Sequence, residues 1–408
     1  MVDTASLFDR VPARQSAADH PSQKQGKAPS AVIIGSSAAS IAAYSAFCEE
    51  AMFPPPQSPA WFSAWVRNAS RDPFLAGISH DGRLILALGL EVANEGMCRV
   101  ARFIGGSHAN GNFPAVVEDS AHLLGANALG ALAAEIRKAR PDIDLIALER
   151  QLGTLEGLPN PLLELNHVIS PNIALATDIS GGFEALLGRV NGKRKRKRHR
   201  SQLRKFEAAG GFERYEATNA AEVDEMLAAF FAMKAHRFSQ MGIADPFAPE
   251  EVRAAFRTLF SEEAGKKQPS HFLHGLKVGG KLRAVIGSSR SGNRLICDFA
   301  GFSEDELTDA SPGNFLFYEN VKEACEQGYP IYDFGVGDEP YKRTWGSEES
   351  MQYDVFIPLT AKGRLLAARY ATAAWAKRVV KRNDGLWQLA KTMRRRLKGD
   401  SIQSEPAD

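Results

Sequence analysis

The chain is poor in cysteine, with four among its 408 residues. Cys48, Cys98, Cys297 and Cys325 lie far apart, without a CxxC pair and without histidines at metal-ligand spacing. That excludes a disulfide scaffold and gives no reason to expect a metal. Long apolar runs are missing too, since none reaches the roughly 18–20 residues that cross a bilayer. The first thirty residues lack the apolar stretch of a secretory signal, so a cytoplasmic protein is expected. They also hold too few large apolar groups to offset the entropy of ordering, and 1–30 reads as a disordered leader. GxGxxG spacing is absent after the apolar run 31–35, which removes a dinucleotide fold. Net charge is small, at +2, yet it hides an asymmetry: basic residues gather at 193–205 and 377–398. That pattern predicts local anionic contacts and argues against a surface that coats nucleic acid throughout.

What is present is ordinary for a globular protein, with 44% hydrophobic and 24% charged residues. Single cores stop growing at roughly 250–300 residues, so two packed domains are expected. Turn chemistry and apolar alternation predict, in 31–170, a strand, helices, a meander across Asp81-Gly82 and Glu95-Gly96, a helix over 123–140 and a strand over 143–148. The residues 105–112 read as a flexible loop carrying His108 and Asn110. After a Pro/Asn-rich connection at 158–172 the outline repeats in 171–360. A strand at 173–178, a basic helix to 209, a long helix over 220–241 and a hairpin across Gly279-Gly280 lead to a helix over 314–327. Strands over 331–334 and 352–358 close the unit, and 361–408 reads as a basic helical tail. Each half is an α+β unit of strand, helices, meander, helix and strand.

Chemistry concentrates in 311–346. Ser311-Pro312-Gly313-Asn314 precedes a helix, where free N–H groups and the helix dipole favour a pyrophosphate and a glycine allows close approach. A plain turn and cap explains the same residues. Some twenty residues on, the strand ending in Asp333-Phe334-Gly335 runs into Gly337-Asp338-Glu339-Pro340-Tyr341-Lys342-Arg343 and Trp345-Gly346. Carboxylates at the end of a buried strand sit where clefts form, and burial raises their pKa towards that of a useful base. Asp338 is the first candidate base and Asp333 the second, with Tyr341 as the acid for a leaving thiolate. Lys342 and Arg343 are candidates to grip an acidic substrate. The competing readings are structural: Asp333 capping a turn with Gly335, and Asp338 pairing with Lys342 or Arg343.

The joint spacing SPGxFL and DFGxGDExYKxxWG, with the basic run 193–205 and KAHRFSQMG at 234–242, resembles bacterial CelD-type GNAT acyltransferases, named after cellulose-biosynthesis proteins. The likeness covers roughly 31–358. It implies an α+β architecture of two tandem GNAT-like folds, each a mixed sheet flanked by helices, and transfer of an acyl group from acetyl-CoA or another acyl-CoA to an amine or hydroxyl. It also implies that Ser311, Pro312, Gly313 and Asn314 hold the pyrophosphate and that 295–301 pairs with the pantetheine arm. The implied acceptor is a small molecule or a polysaccharide-related one.

Arg237, on the long helix, has two readings: a clamp on a substrate anion, or an ion pair anchoring the helix. The run KRKRKRHR at 193–200 interleaves no aromatic residue, so base stacking has no support and nucleic acid is not an expected partner. Its plain reading is a solvated helix face, and its next one is a charge supply beside the coenzyme. Trp375, Leu386 and Trp387 among the lysines and arginines of 361–398 predict peripheral contact with an anionic membrane. Two alternatives follow from the same features. One is a Fem-like transferase using aminoacyl-tRNA, and the other a non-catalytic accessory of a membrane polysaccharide synthase.

Overall fold

A computed structural model describes residues 28–35 and 37–382. The leader 1–27, the tail beyond 382 and the interrupted pattern around Leu386 and Trp387 lie outside the described residues. The first half runs β1 (Ser30–Gly35), α1 (Ala38–Cys48), α2 (Pro59–Asn68), β2 (Pro73–His80), β3 (Arg83–Glu95), β4 (Cys98–Phe103), β5 (Ala115–Val116), α3 (Ala126–Ala139) and β6 (Leu145–Leu152). A small hairpin of β7 (Thr154–Leu155) and β8 (Leu158–Pro159) leads to β9 (His167–Asp178). Then come α4 (Gly182–Arg189), α5 (Gly192–Ala208), β10 (Phe212–Glu216), α6 (Ala220–Met241), α7 (Glu250–Glu263), β11 (His271–Val278), β12 (Lys281–Ser291) and β13 (Arg294–Phe302). The chain continues with α8 (Pro312–Glu326), β14 (Ile331–Val336), α9 (Pro340–Arg343), β15 (Glu348–Pro358) and α10 (Ala361–Arg382).

The two halves share one mixed sheet. Its order is β1-β2-β3-β4-β6-β15-β9-β14-β13-β12-β11-β10, with β5 added beside β3. Each half has an antiparallel meander followed, across a helix, by a parallel strand: β4 beside β6 and β13 beside β14. At the centre the halves exchange strands. The strand β15, from the end of the second half, pairs with β6 of the first, while β9 pairs with β14 and β15. A division at 170/171 therefore falls inside β9. Part of the Pro/Asn-rich connection is strand, and Pro171 is tolerated within β9 because it falls where the register against β15 shifts, between Ile169↔Tyr353 and Ile173↔Met351.

Local sequence accounts for the helices. Asn219 caps α6 by accepting from Glu222 N at 3.1 Å, and the Glu222 carboxylate accepts from Thr218 N at 2.7 Å, so two orphan donors at the helix start are satisfied. The sequence reading passed over α7, although Val252, Ala255, Phe256, Leu259 and Phe260 recur at helical spacing after Pro249. That face completes a shared aromatic core. Phe256 lies within 5.5–6.4 Å, centroid to centroid, of Trp61, Trp65 and His108 from the first half and of Phe247, Phe260 and Phe299 from the second. Trp61, Trp65 and Trp345 are all buried anchors.

Candidate functional site

The parallel pair β13 and β14 is in register for only three residue pairs, Arg294↔Ile331, Leu295↔Tyr332 and Ile296↔Asp333. Beyond them the ladder ends, and irregularities lie beside its end on both strands. Opposite β12 the pairing jumps from Gly287↔Phe299 to Ser288↔Cys297, which makes Asp298 the extra residue of a β-bulge and re-aims its side chain. Across the gap, Gly335 takes a φ of +70°, and a Cβ there would lie 2.7 Å from the Cys297 carbonyl oxygen.

Asp298 stands at this splay, and the sequence reading missed it. Its side chain reaches solvent and accepts a 2.9 Å hydrogen bond from Ser289 Oγ. Protein nevertheless surrounds it closely. Desolvation, opposed by Ser289 and reinforced by the charge of Asp333, pushes its carboxyl up to about 7. The available clue was an acid in the strand LICDFAGF with apolar neighbours on either side. Asp333 is buried and has a raised pKa as well, from desolvation opposed by Arg294. Its Oδ1 accepts from Gly335 N at 2.8 Å, so this carboxylate caps the turn.

The other acid and the two cations expected here are engaged otherwise. Asp338 is half exposed and pairs with Arg343, which also binds Glu349 at 2.6 Å. Lys342 is turned inward. Its buried ammonium donates to Val336 O at 2.9 Å, with Gly335 O and Gly337 O at 3.4 and 3.3 Å, and pairs with Glu339 at 2.8 Å. It ties the loop together from inside. Arg237, half exposed, pairs with Glu304 at 2.9 Å.

A cleft of about 220 Å³ lies against the start of α8, lined by Phe302, Glu304, Ser311, Gly313, Phe317 and Tyr341 among others. Ser311 holds the left-handed conformation with φ +53°, an uncommon backbone for a residue with a side chain and one found at ligand clamps. Pro312 has no N–H, and Gly313 packs so closely that a Cβ would lie 2.4 Å from Phe302. Helix α5 is docked on the same loop. Buried Gln202 donates to Ala310 O and Ser311 O at 2.8 and 3.1 Å, and Arg198 donates to Ser311 Oγ at 2.9 Å. Lys195 lies 3.5 Å over the Trp345 ring and reaches Thr344 Oγ1 at 3.1 Å. Helix start, left-handed clamp and guanidinium together fit a phosphate-bearing ligand. Tyr341 packs on Phe317 at 4.8 Å, and burial raises its hydroxyl pKa, so it stays protonated at neutral pH. Cys297, within electrostatic reach of Tyr341, is pushed up to about 12 by burial and is no thiolate nucleophile.

In the first half the same strand geometry is closed by its own chain. Strands β4 and β6 also pair over three residues, Val100↔Leu145, Ala101↔Ile146 and Arg102↔Ala147. The loop expected to be flexible then fills the gap. Asn112 N donates to Arg150 O at 2.9 Å, and Leu152 N donates to Asn112 O at 2.8 Å. The Arg150 guanidinium donates to Gly106 O, Ser107 O and Asn110 Oδ1 at 2.8, 2.7 and 3.0 Å. His108 stacks on Trp65 in the shared core. Among the described residues no group of His, Cys, Asp or Glu is arranged to hold a metal ion.

Residues 193–343 match the sequence model of the acetyltransferase (GNAT) domain. Solved structures that align with the chain include FemX, at 13% identity and a TM-score of 0.53, with 78% of this chain and 96% of that one covered. A tandem GNAT protein from the clavulanic acid biosynthesis pathway aligns at 12% identity and TM-score 0.45, over 81% and 99% of the two chains. A conserved protein of unknown function from Bacteroides thetaiotaomicron aligns at 15% identity and TM-score 0.49, over 80% and 99%. No curated protein sequence matches significantly. The fold is that of two tandem GNAT-like units sharing one sheet, and the match to the acetyltransferase (GNAT) domain model lies within the second half.

Proposed function

We propose that the chain is an acyl-CoA-dependent N- or O-acyltransferase with one working site, in the second half. The observation that carries this reading is the cleft at Ser311, Gly313 and Tyr341 beside the splay of β13 and β14. Ser311, Gly313, Asn314 and Arg198 would hold the pyrophosphate, and the unpaired edge of β13 would take the amides of the pantetheine arm as an added strand. The coenzyme supplies the activated thioester. Asp298 accepts a proton from the acceptor amine or hydroxyl, whose lone pair attacks the thioester carbonyl. Collapse of the tetrahedral intermediate breaks the C–S bond, and the Tyr341 hydroxyl protonates the leaving sulfur. The acceptor proton thus ends on Asp298 and the Tyr341 proton on the thiol, and return of the Asp298 proton to the Tyr341 phenolate through solvent resets both groups. The inert Cys297 favours direct transfer over an acyl-cysteine intermediate. The CelD-like order of motifs supports a glycan-related acceptor and an acetyl donor.

Calorimetric titration with coenzyme A is expected to give one site per chain, because the first half's equivalent gap is filled. At a hundredfold excess over Kd, binding should stabilise the fold by about 2.7 kcal/mol. Two sites per chain would contradict the filled-gap account, and no thermal shift with any acyl chain length would remove the coenzyme. A second reading keeps aminoacyl-tRNA as donor. It is favoured by the outward face of α5, where Lys193, Arg194, Lys197, Arg200 and Arg204 are exposed with no ion pair to a carboxylate among the described residues. Retarded migration of charged tRNA, with no response to coenzyme, would select it.

A further inference from the structure

Helix α10 is amphipathic twice over. Its N-terminus is capped by Thr360, whose Oγ1 accepts from Gly363 N at 3.2 Å. At 3.6 residues per turn, Gly363, Leu366, Tyr370 and Ala374 share one side. That side is the packed one: Leu366 joins Val100, Leu145 and Ala147, and the Tyr370 hydroxyl bonds the Glu95 carboxylate. The same spacing puts Leu365, Ala368, Thr372, Trp375 and Val379 within about 80° of arc on the opposite side. Leu365 is 77% exposed, Trp375 60% and Val379 38%. A helix packed only on its own body has no reason to carry leucine and tryptophan there. Arg364 and Arg378 border this stripe on one flank, with Lys362 and Arg369 on the other. Over 361–382 the helix holds seven lysines and arginines and no acid.

We infer that this outer face of α10 lies on an anionic lipid surface. An apolar stripe with tryptophan, bordered by cations on both flanks, matches the boundary between acyl chains and negative headgroups. A second copy of the chain is a poorer occupant. A twofold pairing of the stripes would bring together two helices that each carry seven cations and no acid. No helix among the described residues is long and apolar enough to cross a membrane, so the contact is peripheral.

Co-sedimentation of the full chain with vesicles tests this, using phosphatidylcholine alone and phosphatidylcholine with 30% phosphatidylglycerol (about a third anionic lipid, enough to set a surface potential). Wild type is expected to bind the anionic vesicles and to lose binding as salt rises. The double variant L365S/W375S should bind at least about tenfold more weakly with its melting temperature unchanged, since both side chains face solvent. R364Q and R378Q should each weaken binding about fivefold. Equal binding to neutral vesicles, or variants that bind as wild type does, would overturn the proposal. So would a dimer in light scattering that L365S/W375S converts to a monomer, because a second copy would then cover the stripe.

Discussion

Asp298→Asn is expected to lower turnover by about 10²–10⁴-fold, the usual contribution of a positioned general base, while coenzyme affinity stays within about twofold. The amide keeps the size of the side chain and can still meet Ser289 Oγ, so the bulge should persist. What is lost is the site that accepts the proton. The pH dependence separates this from a structural effect. A base works ionised, so kcat/KM should rise with pH, level off above about 7, and lose that limb in the variant. Asp338→Asn is the matched control, because its carboxylate is occupied by Arg343. Asp333→Asn should fall between them, through the Gly335 turn that Asp333 caps. Full turnover in Asp298→Asn, or a limb that survives it, would return the choice of base to Asp338.

The same carboxyl carries a stability cost of definite sign. Its pKa is raised in the fold from an ordinary value near 3.8 to about 7. Between those values the folded state holds a proton that the unfolded state has released. Stability therefore falls as pH rises through that window, and the loss is complete above about 7. Asp298→Asn removes the effect, so the variant should melt higher than wild type at pH 8 and no higher at pH 4. A substitution that stabilises while it inactivates marks a group kept for chemistry rather than packing.

Much of this architecture is legible along the chain, and the parts that are not share a cause. Hairpin turns such as Gly279-Gly280, the alternation of the meanders and the cap before α6 are local features, so the two α+β halves follow from them. The exchange of β9 and β15 does not. Strand pairing between residues such as Phe356 and Ala147 leaves no local pattern, because each strand is equally suited to a central place in either half. The site divides in the same way. Ser311, Gly313 and Tyr341 stand in a motif and line one cleft. Lys342 and Asp338 stand in the same motif, yet three-dimensional neighbours occupy them: three carbonyls for one and Arg343 for the other. Asp298 lies outside the motif and becomes a candidate only once the bulge in β13 is known. Spacing identifies where a ligand sits more readily than which acid is left with chemical work to do.

Phe256→Ala should cost about 3–5 kcal/mol, the range for a fully packed phenylalanine, and lower the melting temperature without splitting the transition. Phe256 is 4% exposed and touches aromatic rings from both halves, so truncation leaves a cavity that neither half can close alone. The Arg67–Glu262 pair at 2.7 Å also joins the halves, but both side chains are nearly half exposed. Such a pair contributes about 0–1 kcal/mol in water, and Arg67→Ala should be close to silent. Dispersion and burial, not charge, hold this interface. The unsplit transition follows from the sheet: β15 pairs with β6 of the first half and with β9 on its other side, so unfolding the first half strips this central strand of one of its two partners. Scanning calorimetry of Phe256→Ala decides the point. Two separated transitions would mean that the halves are independent units touching at a surface. One transition at lower temperature, with lost turnover below it, would mean that the filled first half supports the working site in the second through their common core.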